Sequence, residues 1–131
     1  MGARHVPVEA IPANPLPAGG TLRFVNPEVH GLGAVVMSTS EHPPGEEVPS
    51  HKHRCGEIFV VTGGRARFTV DGEVIIANVG DMVAVPAGSW HGFCPDGNEE
   101  LRLVAAFDAG AIHTTFPEDS PLAAFNTPDD A

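Results

Sequence analysis

Between Gly45 and Gly64 the chain sets two imidazoles and one carboxylate at odd positions, His51, His53 and Glu57. In extended backbone, alternate side chains share a face, so the three can converge on one point. The run that follows, Ile58-Phe59-Val60-Val61-Thr62, is β-branched and aromatic, and the chain reads as extended from Pro49 to Thr62. Imidazole and carboxylate together suit a divalent transition metal. A fourth donor, His91, closes the segment Gly80 to His91. The two segments are expected to meet as one metal site enclosed by β-strands.

The rest of the chain supports strands over helices. At 131 residues it forms one domain with a real core. Its 15 glycines and 13 prolines are spread between short apolar runs, which favours many strands separated by turns. Strands are expected at Thr21–Val25, Leu32–Ser40, Arg65–Val70, Glu73–Val79, Met82–Val85, Trp90–Cys94 and Glu100–Phe107. Glu41-His42-Pro43-Pro44-Gly45 reads as loop, because prolines cannot sit in a central strand. Asp71-Gly72 is the strongest hairpin signal. Regularly spaced short strands indicate an antiparallel sandwich or barrel. Residues 1–20 read as an irregular arm, 21–108 as the barrel and 109–131 as an extension, with disorder expected from about Thr127.

Parity also predicts packing. With His53 and Glu57 inward, Phe59 and Val61 point inward and Ile58 and Val60 outward. An apolar outer face needs a cover, which the arm, a second sheet or a partner subunit could supply; a homodimer is favoured. The formal charge of −10 argues against a nucleic-acid partner, because phosphate binding needs clustered Lys and Arg. No apolar run is long enough to span a bilayer, and no signal-peptide pattern opens the chain, so a cytoplasmic location is expected. Cys55 and Cys94 then read as free thiols, with a bridge open to them only in an exported protein.

The two segments also resemble a known family. Gly45, five residues, His51-Lys52-His53, three residues, Glu57, six residues and Gly64 match every fixed position of the first cupin motif. Gly80, five residues, Pro86-Ala87-Gly88, two residues and His91 match most of the second, whose usual final Asn is replaced by Pro95. The resemblance implies a single-domain antiparallel jelly-roll β-barrel, an all-β fold. It also implies one divalent transition metal per chain on His51, His53, Glu57 and His91. These donors would fill four positions of an octahedron and leave two for water, dioxygen or a bidentate substrate. They suit Fe, Mn, Ni, Co or Zn without choosing among them.

Other residues follow from parity and position. Met37, Phe59, Val61 and Phe93 are candidate pocket walls. Cys55 shares the ligands' parity, although a bulge at Arg54-Cys55-Gly56 would turn it away. His42, Glu46 and Glu47 near the barrel mouth, and His113 after the last strand, are candidate acids or bases. Trp90 should pack outside. Arg65, Arg67 and Arg102 could bind a substrate carboxylate, but read more simply as solvated strand faces. The expected function is a metal-dependent enzyme on a small organic substrate. The resemblance suggests a dioxygenase first; non-redox isomerisation, cyclisation, decarboxylation or lyase chemistry is the alternative, and a non-catalytic binder a third.

Overall fold

A computed structural model describes residues 2–128. Its strands are β1 (Asn14–Pro15), β2 (Thr21–Val25), β3 (Val36–His42), β4 (Val48–His53), β5 (Glu57–Gly63), β6 (Arg65–Val70), β7 (Glu73–Asn78), β8 (Met82–Val85), β9 (His91–Pro95), β10 (Leu101–Phe107) and β11 (Thr114–Thr115). One sheet has the order β1-β2-β3-β10-β5-β8 and the other β11-β4-β9-β6-β7. Every strand pair is antiparallel. From β3 to β6, and again from β7 to β10, each connection crosses between sheets, so the two sheets close as a jelly roll. The expected all-β fold is the one observed.

Local chemistry explains the turns. β6 and β7 are joined by Asp71-Gly72, both with positive φ (46° and 84°). That conformation defines a type I′ turn, whose twist matches that of the flanking strands. In β5 the alternation is strict: Glu57, Phe59 and Val61 are buried while Ile58 faces out. The inner faces meet in an aromatic triangle, with Phe59–Phe68, Phe68–Phe93 and Phe59–Phe93 ring centroids 5.0, 5.3 and 5.4 Å apart. Leu101, Leu103, Ala66 and Val61 belong to the same core.

Three expectations need correcting. β3 runs on through Glu41 and His42, and Leu101 of β10 pairs with His42; the prolines end the strand immediately after it, not two residues before. Asn26-Pro27 does not simply close a strand. Asn26 Oδ1 accepts from the Val29 amide at 3.2 Å and caps a helical turn, α1 (Pro27–His30), so β3 starts only at Val36. The C-terminal segment is not loose at Thr127: its amide donates to Thr114 O (2.9 Å) and its Oγ1 accepts from the Thr114 amide (3.1 Å). The remaining tail expected to be disordered, residues 129–131, lies outside the described residues.

The ends of the chain pack on the barrel. β1 extends the first sheet beside β2. Buried Glu46 accepts from the Ala18 amide (2.9 Å) and the Gly20 amide (3.0 Å), which clamps the arm to the mouth. The arm thus lies at the β2 edge, far from β5 and β8, and leaves Ile58 and Met82 exposed on the outer face. No helix among the described residues is long and apolar enough to cross a membrane.

Candidate metal centre

The site is built where β4 runs beside β9. His51 pairs with His91, and Val48 with Phe93, so β4 holds one residue more than β9 between the two pairs. This bulge turns His51 directly toward His91, ring centroids 4.3 Å apart. Gly92 makes the approach feasible: a Cβ there would meet Val48 O at 2.7 Å and Pro49 C at 3.1 Å, backbone atoms that cannot swing aside. His53 follows two residues later on β4, 4.9 Å from His51 and 5.3 Å from His91 by ring centroids.

The chain then bends at Arg54-Cys55-Gly56 and crosses to the other sheet. The bend is tied to the end of β10, where the Gly56 amide donates to Asp108 Oδ1 (2.7 Å) and the Asp108 amide to Gly56 O (3.2 Å). Glu57 therefore starts β5 on the facing wall instead of extending one strand with the histidines. It still reaches the same centre. Its Oε1 lies 3.2 Å from His91 Nε2 and 3.5 Å from His53 Nε2.

The histidines are oriented for ligation. His51 Nδ1 donates to Pro49 O (2.7 Å) and His91 Nδ1 to Ser89 O (2.9 Å). His53 Nδ1 donates to His113 O (3.3 Å), with Thr114 Oγ1 at 3.2 Å. A carbonyl only accepts, so each Nδ1 carries the proton and each Nε2 offers a lone pair. Such outer hydrogen bonds fix the tautomer of metal-binding histidines. Burial, helped by the neighbouring His91 ring, lowers the pKa of His51 to about 3 and that of His53 to about 4. Burial raises that of Glu57, with the neighbouring His91 opposing the shift. One donor nitrogen from each of the three histidines lies within 4.8 Å of the other two. Neutral imidazole lone pairs and a carboxylate converging in a buried space attract a cation. The donor set fits one divalent metal, and it does not select among Fe, Mn, Ni, Co and Zn.

The cluster forms part of the lining of a cavity of about 370 Å³. Space exists because Ser38, Ser40 and Ala105, small residues, occupy inward positions on β3 and β10. Phe59, Phe93 and Phe107 supply apolar walls. The C-terminal segment adds Ile112, Thr114, Phe116 and Leu122, with the Phe116 ring 5.8 Å from that of His51.

The other sequence candidates divide. Phe59, Phe93, His42 and Glu47 line the cavity. Val61 belongs to the core beneath it and Met37 to the half-buried outer side of β3, whose inward residues are the even-numbered Val36, Ser38, Ser40 and His42. Glu46 is engaged with the arm. His113 contributes its carbonyl to His53 and not its ring to the lining. Cys55 sits in the bend, packed on the core margin, and neither it nor Cys94 is in a disulfide. Arg65 and Arg102 are exposed and paired with Asp96 (2.8 Å) and Glu100 (2.9 Å). Lys52 Nζ lies 4.7 Å from the centre of the outward Trp90 ring.

A two-sheet barrel with a buried histidine cluster facing a cavity defines a class of metal-site barrels. The family model described as the cupin domain (Cupin_2) matches residues 38–115, and the chain belongs to that family. It is 37% identical to gentisate 1,2-dioxygenase of Ralstonia sp over 91 residues, 64% of this chain and 26% of that protein. The chain thus spans about a quarter of that relative's length. It is 30% identical to polyketide synthase CurC of Streptomyces cyaneus over 105 residues, 79% of this chain and 68% of that one. An RmlC-like cupin of Shewanella frigidimarina superposes with a TM-score of 0.68 at 19% identity, covering 85% of this chain and 96% of that structure. At that identity the likeness concerns the fold.

Proposed function

We propose that the protein is a metal-dependent enzyme of dioxygenase type acting on a small hydroxylated aromatic compound. The observation that carries this is the histidine cluster at one wall of a largely apolar cavity of about 370 Å³. The similarity to a gentisate dioxygenase supports the reaction class. His51, His53 and His91 would hold the metal, with Glu57 as fourth ligand. When bound, the metal supplies Lewis acidity to adjacent substrate oxygens and, if iron or manganese, the one-electron chemistry that dioxygen requires.

The chain's own residues define the rest. Phe59, Phe93, Phe107 and Phe116 give a flat substrate apolar faces and exclude water. No lysine or arginine lines the cavity among the described residues, so a substrate carboxylate has its only strong partner at the metal end. Burial keeps the carboxyl of Glu57 prone to protonation, and in the metal-free site Oε1 is the atom that would share a proton with His91 Nε2.

A second reading is non-redox cyclisation or a related metal-assisted reaction at the same site, since the chain is also similar to polyketide synthase CurC, 68% of whose length it covers against 26% of the dioxygenase's. Oxygen consumption separates the two. Iron-loaded protein with gentisate, salicylate or 1-hydroxy-2-naphthoate is expected to consume one dioxygen per ring opened. Ligand binding without oxygen uptake would overturn the dioxygenase reading.

A further inference from the structure

The cavity wall on the sheet opposite the histidine cluster carries a polar stripe that metal binding does not use. Ser38, Ser40 and His42 alternate along β3 and all face the cavity. His42 is 2% exposed; its Nε2 lies 2.8 Å from Ser40 Oγ, and its Nδ1 is buried without a hydrogen-bond partner. An unpaired buried nitrogen is costly, so a ligand that pairs it gains affinity. A row of rings leads from there to the metal centre. Phe93 meets His42 edge-on at 5.1 Å, Phe59 lies 5.4 Å from Phe93, and Phe59 is 6.2 Å from His91, all between ring centroids.

We propose that His42, set by Ser40, is a substrate-positioning residue that hydrogen-bonds a neutral oxygen at the edge of an aromatic substrate remote from the metal. This rests on the hydroxyaromatic reading above and narrows its substrate class. The ligand is a flat ring system bearing oxygen on two opposite edges, with negative charge only at the metal edge. The Ser40 hydroxyl can donate or accept, so His42 Nδ1 can serve a carbonyl or a phenol. An anion at this end is disfavoured. Burial lowers the pKa of His42, the carboxylates of Glu46 and Glu100 lie near enough to act on it, and no cation lines the wall.

The test compares two probes that share the metal-facing edge, 1-hydroxy-2-naphthoate and 1,4-dihydroxy-2-naphthoate, which differ by one hydroxyl across the ring. Binding is measured by calorimetry on cobalt-loaded protein without oxygen. The wild type is expected to prefer the dihydroxy compound by on the order of tenfold, the effect of one hydrogen bond to a buried partner. His42→Phe should reduce the preference to within twofold, and Ser40→Ala should fall between. A purely structural His42 would instead lower the melting temperature and weaken both probes alike. If His42→Phe does not fold, His42→Gln and Ser40→Ala carry the comparison. A preference kept in these variants, or equal binding of both probes by the wild type, overturns this proposal alone. Failure of the wild type to bind either overturns the hydroxyaromatic reading and this proposal with it.

Discussion

Replacing His91 with alanine is expected to weaken divalent-metal binding by more than about 100-fold and to abolish turnover. Losing a ligand's outer hydrogen-bond partner alone costs roughly 10–100-fold, so losing the ligand itself must cost more. His91 is the member best placed to show this. It is 1% exposed, opposite His51 across the β4–β9 ladder and 3.2 Å from Glu57 Oε1. Without it, the site keeps the two histidines of β4 and the carboxylate on the facing wall but loses its donor from β9. Thermal unfolding with and without metal reads the effect. Metal at about 1,000 times its dissociation constant stabilises the folded state by about 4 kcal/mol. For a domain of this size that corresponds to on the order of 10 °C. The variant, at the same metal concentration, should gain less than about 1.4 kcal/mol. Equal stabilisation of both proteins would remove His91 from the site.

The second large effect comes from the C-terminal segment. Ending the chain at Gly110 is expected to lower metal affinity by about 10–100-fold while the barrel stays folded. The segment is attached to the site itself. Thr114 of β11 pairs with His53, and the carbonyl of His113 and hydroxyl of Thr114 are the partners of His53 Nδ1. It is held in turn by Asn126, whose Nδ2 donates to Phe116 O at 3.2 Å, and by Arg54, which donates to Pro128 O at 2.7 Å. Removing it frees the His53 ring to rotate and opens the cavity to water on the side of Phe116 and Leu122. The core cluster of Phe59, Phe68, Leu101 and Leu103 contains none of these residues, so sheet circular dichroism should persist. Metal affinity within twofold of the full chain would show that the segment only packs against the barrel.

Much of the site was legible in residue spacing, for a reason the structure makes plain. His51, His53, Glu57 and His91 each take an inward position on their own strands, and the bend at Arg54-Cys55-Gly56 leaves Glu57 facing inward although the chain changes sheets there. Parity failed at β3. Met37 reads as a pocket wall because it is apolar, but this strand lines a cavity as well as a core, and its inward residues include Ser38, Ser40 and His42. His42 reads from sequence only as a loop residue near the mouth, because Pro43 and Pro44 suggest a loop that begins only after it. Nothing local could reveal the C-terminal lining, since Thr114 and Phe116 acquire their roles from contacts some sixty residues away in sequence.

The central claim is that this chain holds one divalent transition metal on its histidine cluster. Metal content per chain tests it most directly, measured by elemental analysis on protein purified without added metal, and again after chelation and exposure to Fe, Mn, Ni, Co or Zn. Close to one ion per wild-type chain is expected, and almost none in His91→Ala. A wild-type protein that carries no metal and takes up none of the five would contradict it.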